Sequence, residues 1–119
     1  MLARYIDECK AFTAGDSTTI REILHPHKES LAIRYSLAYA SVKKGRSSKP
    51  HRMKTSEVYY ILNGKGIMHI DDDSKEVASN HTVYIPPNSL QHIQNTGDSE
   101  LTFLCIVDPA WRKEDEEVI

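Results

Sequence analysis

The sequence predicts an all-β sandwich or small barrel, and three observations carry that prediction. From Leu31 onward apolar residues recur with period two rather than 3.6. Clusters of Gly, Pro, Asn, Asp and Ser interrupt these runs at spacings of roughly 8–12 residues. Almost no stretch offers the wide apolar stripe of an amphipathic helix. Together they outline about eight short strands in a single domain.

The N-terminal residues 1–16 have no clear period, and Leu2, Tyr5 and Ile6 suit a short helix or an arm. Asp16 or Ser17 is a credible N-cap before Ile20, Ile23 and Leu24, with Pro26 as the stop. A helical turn or two is therefore expected here, although Thr18 and Thr19 weaken it. His25 and His27 have the spacing of a metal pair, but a solvated loop is the favoured reading.

Leu31, Ile33, Tyr35, Leu37 and Tyr39 alternate with smaller or polar residues and read as a half-buried strand. A turn-rich basic loop, 43–50, leads into strands at His51–Thr55 and Ser56–Leu62, and Asn63-Gly64 signals a hairpin. Further short strands follow at Ile67–Ile70, Lys75–Ala78, Thr82–Ile85 and Gln91–Asn95. Turns at Asp71–Ser74, Ser79-Asn80 and Pro86–Ser89 separate them.

The last strand, Leu101–Val107, is apolar on both faces, so its outer face needs cover from the N-terminal segment or a second copy. That is the basis for expecting a homodimer. Trp111 is expected to dock on the barrel, and Glu114–Glu117 to stay solvated. The expected division is an N-terminal arm over 1–30, the barrel over 31–108 and an acidic tail over 109–119.

Composition excludes several classes. The 119 residues suit one domain with a real core, and 39% hydrophobic with 27% charged is ordinary globular usage. A net charge of −2 argues against non-specific nucleic-acid binding, which needs phosphate neutralisation. No apolar run is long enough to span a bilayer. The first twelve residues carry Arg4, Asp7, Glu8 and Lys10 and do not resemble a signal peptide, so a cytoplasmic protein is expected. Cys9 and Cys105 form no CxxC pair, and Cys105 reads as a buried thiol.

The chemistry concentrates on two strands. Alternation puts His51, Met53, Glu57, Tyr59 and Ile61 on one face, and Gln91, Ile93 and Asn95 on another. His92 falls on the opposite face from Gln91. A histidine and a glutamate on one strand face are potential ligands for a metal or a substrate.

These residues resemble the cupin superfamily. Its first motif, G-x5-H-x-H-x3,4-E-x6-G, meets Gly45, His51, Glu57 and Gly64, with Met53 at the second histidine. Its second, G-x5-P-x-G-x2-H-x3-N, meets Pro86 and Asn95, with Asn80 and Asn88 for the glycines and Gln91 for the histidine. Asn tolerates positive φ better than other non-glycine residues, so both replacements suit turns.

The resemblance implies a small single-domain cupin with a double-stranded β-helix and a short N-terminal helical segment. It implies a metal position at His51, Met53, Glu57 and Gln91, for Mn, Fe, Ni, Zn or Cu. Thioether sulfur and amide oxygen favour different ions, so that set suits no single metal well. Glu57 and His51 would be the catalytic pair, and Tyr59, Ile61, Met53, Gln91 and Ile93 would bind a small molecule. The implied activities are a metal-dependent isomerase, such as a mannose-6-phosphate isomerase-like enzyme, or an oxygenase. A metal-free binding module without catalysis stands beside them. The basic set Lys43, Lys44, Arg46, Lys49, Arg52 and Lys54 would draw in an anionic, sugar-phosphate-like ligand.

Overall fold

A computed structural model describes all residues from Met1 to Ile119. Eleven strands account for nearly all regular structure. They are β1 (Ala11–Thr13), β2 (Thr19–Leu24), β3 (Ser36–Val42), β4 (His51–Met53), β5 (Ser56–Asn63) and β6 (Lys65–Ile70). The rest are β7 (Asp73–Ala78), β8 (Thr82–Ile85), β9 (Gln91–Asn95), β10 (Leu101–Asp108) and β11 (Glu116–Val118).

Six strands form one sheet in the order β1-β2-β3-β10-β5-β8, and five form the second in the order β11-β4-β9-β6-β7. Every strand pair is antiparallel. The two sheets face each other as a double-stranded β-helix, as expected. No helix is long and apolar enough to cross a membrane.

Alternation decides what lies between the sheets. On β5, Glu57, Tyr59 and Ile61 point inward and are buried, while Tyr60 and Leu62 face out. On β9, Gln91, Ile93 and Asn95 are buried. His92 lies on the other face and stacks on His69 of β6, with ring centroids 4.2 Å apart. The positive-φ positions also follow expectation: Asn80 (φ 73°) and Asn88 (φ 66°) hold turns where the family has glycine.

Five local expectations change. The segment expected as helix, Thr19–Leu24, is strand β2, paired to β3; helix is limited to 3-10 turns at Ile6–Glu8 and Lys113–Asp115. Its β-branched Thr19, Ile20 and Ile23 fit a pleated surface, and sheet pairing outweighs one N-cap signal. The alternating run from Leu31 becomes strand only at Ser36.

Asn63-Gly64 is not a hairpin but the corner where the chain leaves one sheet for the other, since β5 and β6 do not pair. Gly64 (φ 89°) lies against the Glu100 carbonyl, 2.9 Å from where a Cβ would stand. His25 is buried rather than solvated: Nε2 meets the Trp111 carbonyl at 2.8 Å, and the His27 amide donates to Nδ1.

The acidic tail also joins the fold. Glu116–Val118 pairs with His51–Met53 as the edge strand β11. The backbone at Trp111 is anchored on β3, its amide donating to Ser36 Oγ at 2.9 Å, while the ring stays partly exposed.

Candidate functional site

One end of the inter-sheet space is solid and the other is open. Val42, Ile61, Met68, Val77, Ile85, Ile93 and Leu101 pack the closed end, with Ala40, Tyr59 and Phe103 at its boundary. Beyond that boundary lies a cavity of about 450 Å³. Its inner walls carry His51, Met53, Glu57 and Cys105. Phe12, Asp16, Trp111, Lys113, Glu116 and Val118 from the two terminal segments complete it.

The expected site residues are divided by that boundary. His51, Met53, Glu57 and Tyr59 line the cavity, whereas Ile61, Ile93 and Gln91, expected as ligand-binding, lie behind its wall. None of Lys43, Lys44, Arg46, Lys49, Arg52 and Lys54 lines it; its one lysine is Lys113.

The four positions at which the family holds a metal do not fit one here. Gln91 donates its amide to Glu57 Oε1 at 2.7 Å and accepts from the Tyr59 hydroxyl at 3.1 Å. The Cys105 thiol donates to Glu57 Oε2 at 2.9 Å. These side chains therefore satisfy one another, leaving neither Glu57 oxygen free of a donor. Met53 adds only a soft thioether.

Burial pushes the Glu57 carboxyl above its ordinary value, against the opposing pull of Cys105, Gln91 and His51. Burial likewise raises the Tyr59 phenol and the Cys105 thiol well above theirs, with the Glu57 charge adding to both. Burial therefore disfavours the Cys105 thiolate.

A different set converges at the cavity. One ligand atom from each of Asp16, His51 and Glu116 lies within 4.8 Å of the other two, a group that could hold a metal ion. Each is aimed by a neighbour. His51 Nδ1 faces the Lys49 carbonyl at 2.8 Å; a carbonyl can only accept, so Nδ1 carries a proton and Nε2 is the nitrogen left to face Asp16. Asp16 Oδ1 accepts from the Thr18 amide and hydroxyl, at 3.1 and 2.6 Å. Glu116 Oε2 accepts from the Trp111 indole at 2.9 Å.

His51 Nε2 and Asp16 Oδ2 are 3.6 Å apart, too long for a hydrogen bond. That separation is close to the roughly 3–3.5 Å between neighbouring donors on an ion bound at about 2.1 Å. Such outer partners are how proteins orient metal ligands.

Sequence reasoning missed Asp16 and Glu116. Asp16 read as a helix cap and Glu116 as part of a solvated run. Only pairing across the whole chain, β11 on β4 and the β1–β2 turn beside them, brings them to His51.

Comparison with known proteins agrees with this architecture. The family described as Cupin domain matches residues 38–107. The chain is 39% identical to the uncharacterized protein MJ1618 of Methanocaldococcus jannaschii over 114 residues, covering 95% of this chain and 90% of that one. Among solved structures, the cupin-2 domain Rru_A2000 of Rhodospirillum rubrum superposes with TM-score 0.80 at 21% identity, covering 100% and 80% of the two chains. A predicted oxalate decarboxylase of Thermotoga maritima gives 0.79 at 21% identity, covering 92% and 99%. Both likenesses speak for the fold alone. From its strand order, its motif positions and its match over most of the barrel, the chain belongs to the cupin family.

Proposed function

We propose that this protein is a cupin that binds a small molecule in its cavity with the help of a divalent cation held by Asp16, His51 and Glu116. The observation that carries the reading is that each of these three donors is already oriented by a partner of its own. Two carboxylates suit hard ions and an imidazole suits borderline ones, so Mn²⁺ or Fe²⁺ fits better than Cu(I). The mannose-6-phosphate isomerase-like alternative has less support, because the basic loop stands away from the cavity.

Glu57 favours a second reading, proton transfer. A buried carboxyl that holds its proton to higher pH than usual, on the wall of a cavity, is placed for acid–base work. A cavity with neither a cation nor that proton transfer is the metal-free binding module without catalysis.

The homodimer belongs to the same proposal. Leu37, Ile106, Val58 and Tyr84 form one outward row across four paired strands, and Tyr39, Leu104 and Tyr60 form the next. A second copy would cover this apolar face. Light scattering should give twice the chain mass, and Leu104→Glu should return a monomer; a wild-type monomer would remove this part.

The cation reading is tested by metal analysis of protein purified without a polyhistidine tag. Stoichiometric metal is expected in the wild type and in Glu57→Gln, and loss in Asp16→Asn, His51→Ala and Glu116→Gln. Loss in Glu57→Gln with retention in Asp16→Asn and Glu116→Gln would return the metal to the position usual in the family. Metal in none of them would favour the metal-free module.

A further inference from the structure

Resting on the cation site proposed above, we infer the class of ligand: a ring-bearing, largely apolar molecule with one anionic oxygen head, such as an aromatic carboxylate or an enolate. The walls supply the apolar part of the argument. Phe12, Tyr59, Phe103 and Trp111 surround the cavity, and Phe12 and Trp111 stay 48% and 37% exposed although they line it. Large apolar side chains left open at a cavity mouth gain from an apolar occupant. A volume of about 450 Å³ sits in the lower half of the small-molecule range and suits one or two rings.

Charge supplies the rest. The two carboxylates Asp16 and Glu116 balance a divalent cation. Glu22, the remaining carboxylate on the outer wall, is paired with Lys28 at 2.8 Å. Glu57 is tied to Gln91 and Cys105. That leaves Lys113, which has no carboxylate partner, as the one lysine or arginine of the lined surface and the one free to meet an anion.

With the cation in place, the cavity therefore presents an ion with open coordination positions, one ammonium and aromatic walls. A single anionic oxygen head satisfies both charges, and a ring fills the remainder. Without the cation, Asp16 and Glu116 repel the same head. A polyhydroxylated phosphate ester would bury hydroxyl groups against aromatic walls with few partners, which is costly. Ligand affinity is thus conditional on the metal.

Titration calorimetry with three probes tests this: cinnamate, its neutral amide, and glucose 6-phosphate. Into full-length protein stripped of metal with EDTA, Mn²⁺ is titrated alone first, then each probe with and without saturating Mn²⁺. Cinnamate should bind about tenfold or more tightly with Mn²⁺ than without, and about tenfold more tightly than the amide. Glucose 6-phosphate should bind more weakly than either. Lys113→Gln should weaken cinnamate several-fold and leave Mn²⁺ unchanged, with Lys113→Arg restoring affinity.

Mn²⁺ binding combined with equal affinities for cinnamate and its amide would overturn the ligand class while leaving the cation site standing. Tighter binding of glucose 6-phosphate would do the same. No Mn²⁺ heat in the first titration would remove the cation site itself, and with it this inference.

Discussion

Along β3, β5 and β10 the inward side chains change character within a few positions. At one end they are Val42, Ile61 and Leu101; at the other they are Ser36, Glu57 and Cys105. The closed end is apolar and filled, and its side chains come from strands of the matched domain. The open end is finished by β1, the β1–β2 turn and the segment after Pro109, which lie outside that match. The filled end holds most of the buried apolar core, and the terminal segments bring the two carboxylates of the proposed cation site to the open one.

The largest effect expected from this contrast is on stability. Leu101→Ala, at a fully buried position of the closed end, should cost about 2–5 kcal/mol in urea unfolding. Phe12→Ala, on the open end, should cost less than about 1 kcal/mol. Equal losses would break the comparison.

Cation binding should come next. At Mn²⁺ a hundredfold above its Kd, the wild type should gain about 2.7 kcal/mol, read as a rise in Tm. Asp16→Asn should abolish that gain; an unchanged gain would locate the ion elsewhere.

A pH effect follows from Glu57, whose carboxyl is raised above 4.5 in the folded chain. Between the unfolded and folded values the native state binds the extra proton, so its stability falls as pH rises through that window. Glu57→Gln lacks this titration. The wild type should therefore lose stability relative to Glu57→Gln on going from pH 4 upward, and a constant difference would show that burial does not shift the carboxyl. The smallest effect is expected at the basic loop. Lys43→Gln with Lys44→Gln should change stability by less than about 0.5 kcal/mol and leave cinnamate binding as it was.

Much of the barrel was legible in the sequence because its determinants are local. Period-two alternation assigned the inward faces of β5 and β9 correctly, and Asn80 and Asn88 occupy the positive-φ turns their chemistry suggests. His92 faces outward for the same reason. The elements misread were those decided by partners distant in the chain. Thr19–Leu24 carries a cap signal but finds a sheet edge, and Asn63-Gly64 carries a hairpin signal at a corner between sheets.

The candidate site was half legible. His51 and Glu57 were found by spacing, and His51 remains at the centre. Asp16 and Glu116 had no local signal, since an aspartate before a serine and a glutamate in an acidic run look solvated until the fold joins them. Gln91 looked like a weak ligand and is instead the hydrogen-bond partner of Glu57.

The most direct measurement of the central claim is the anomalous difference map of a crystal soaked in Mn²⁺. A peak within bonding distance of Asp16, His51 and Glu116 is expected. A peak bonded to Glu57 and Gln91, with Asp16 and Glu116 turned away, would contradict it.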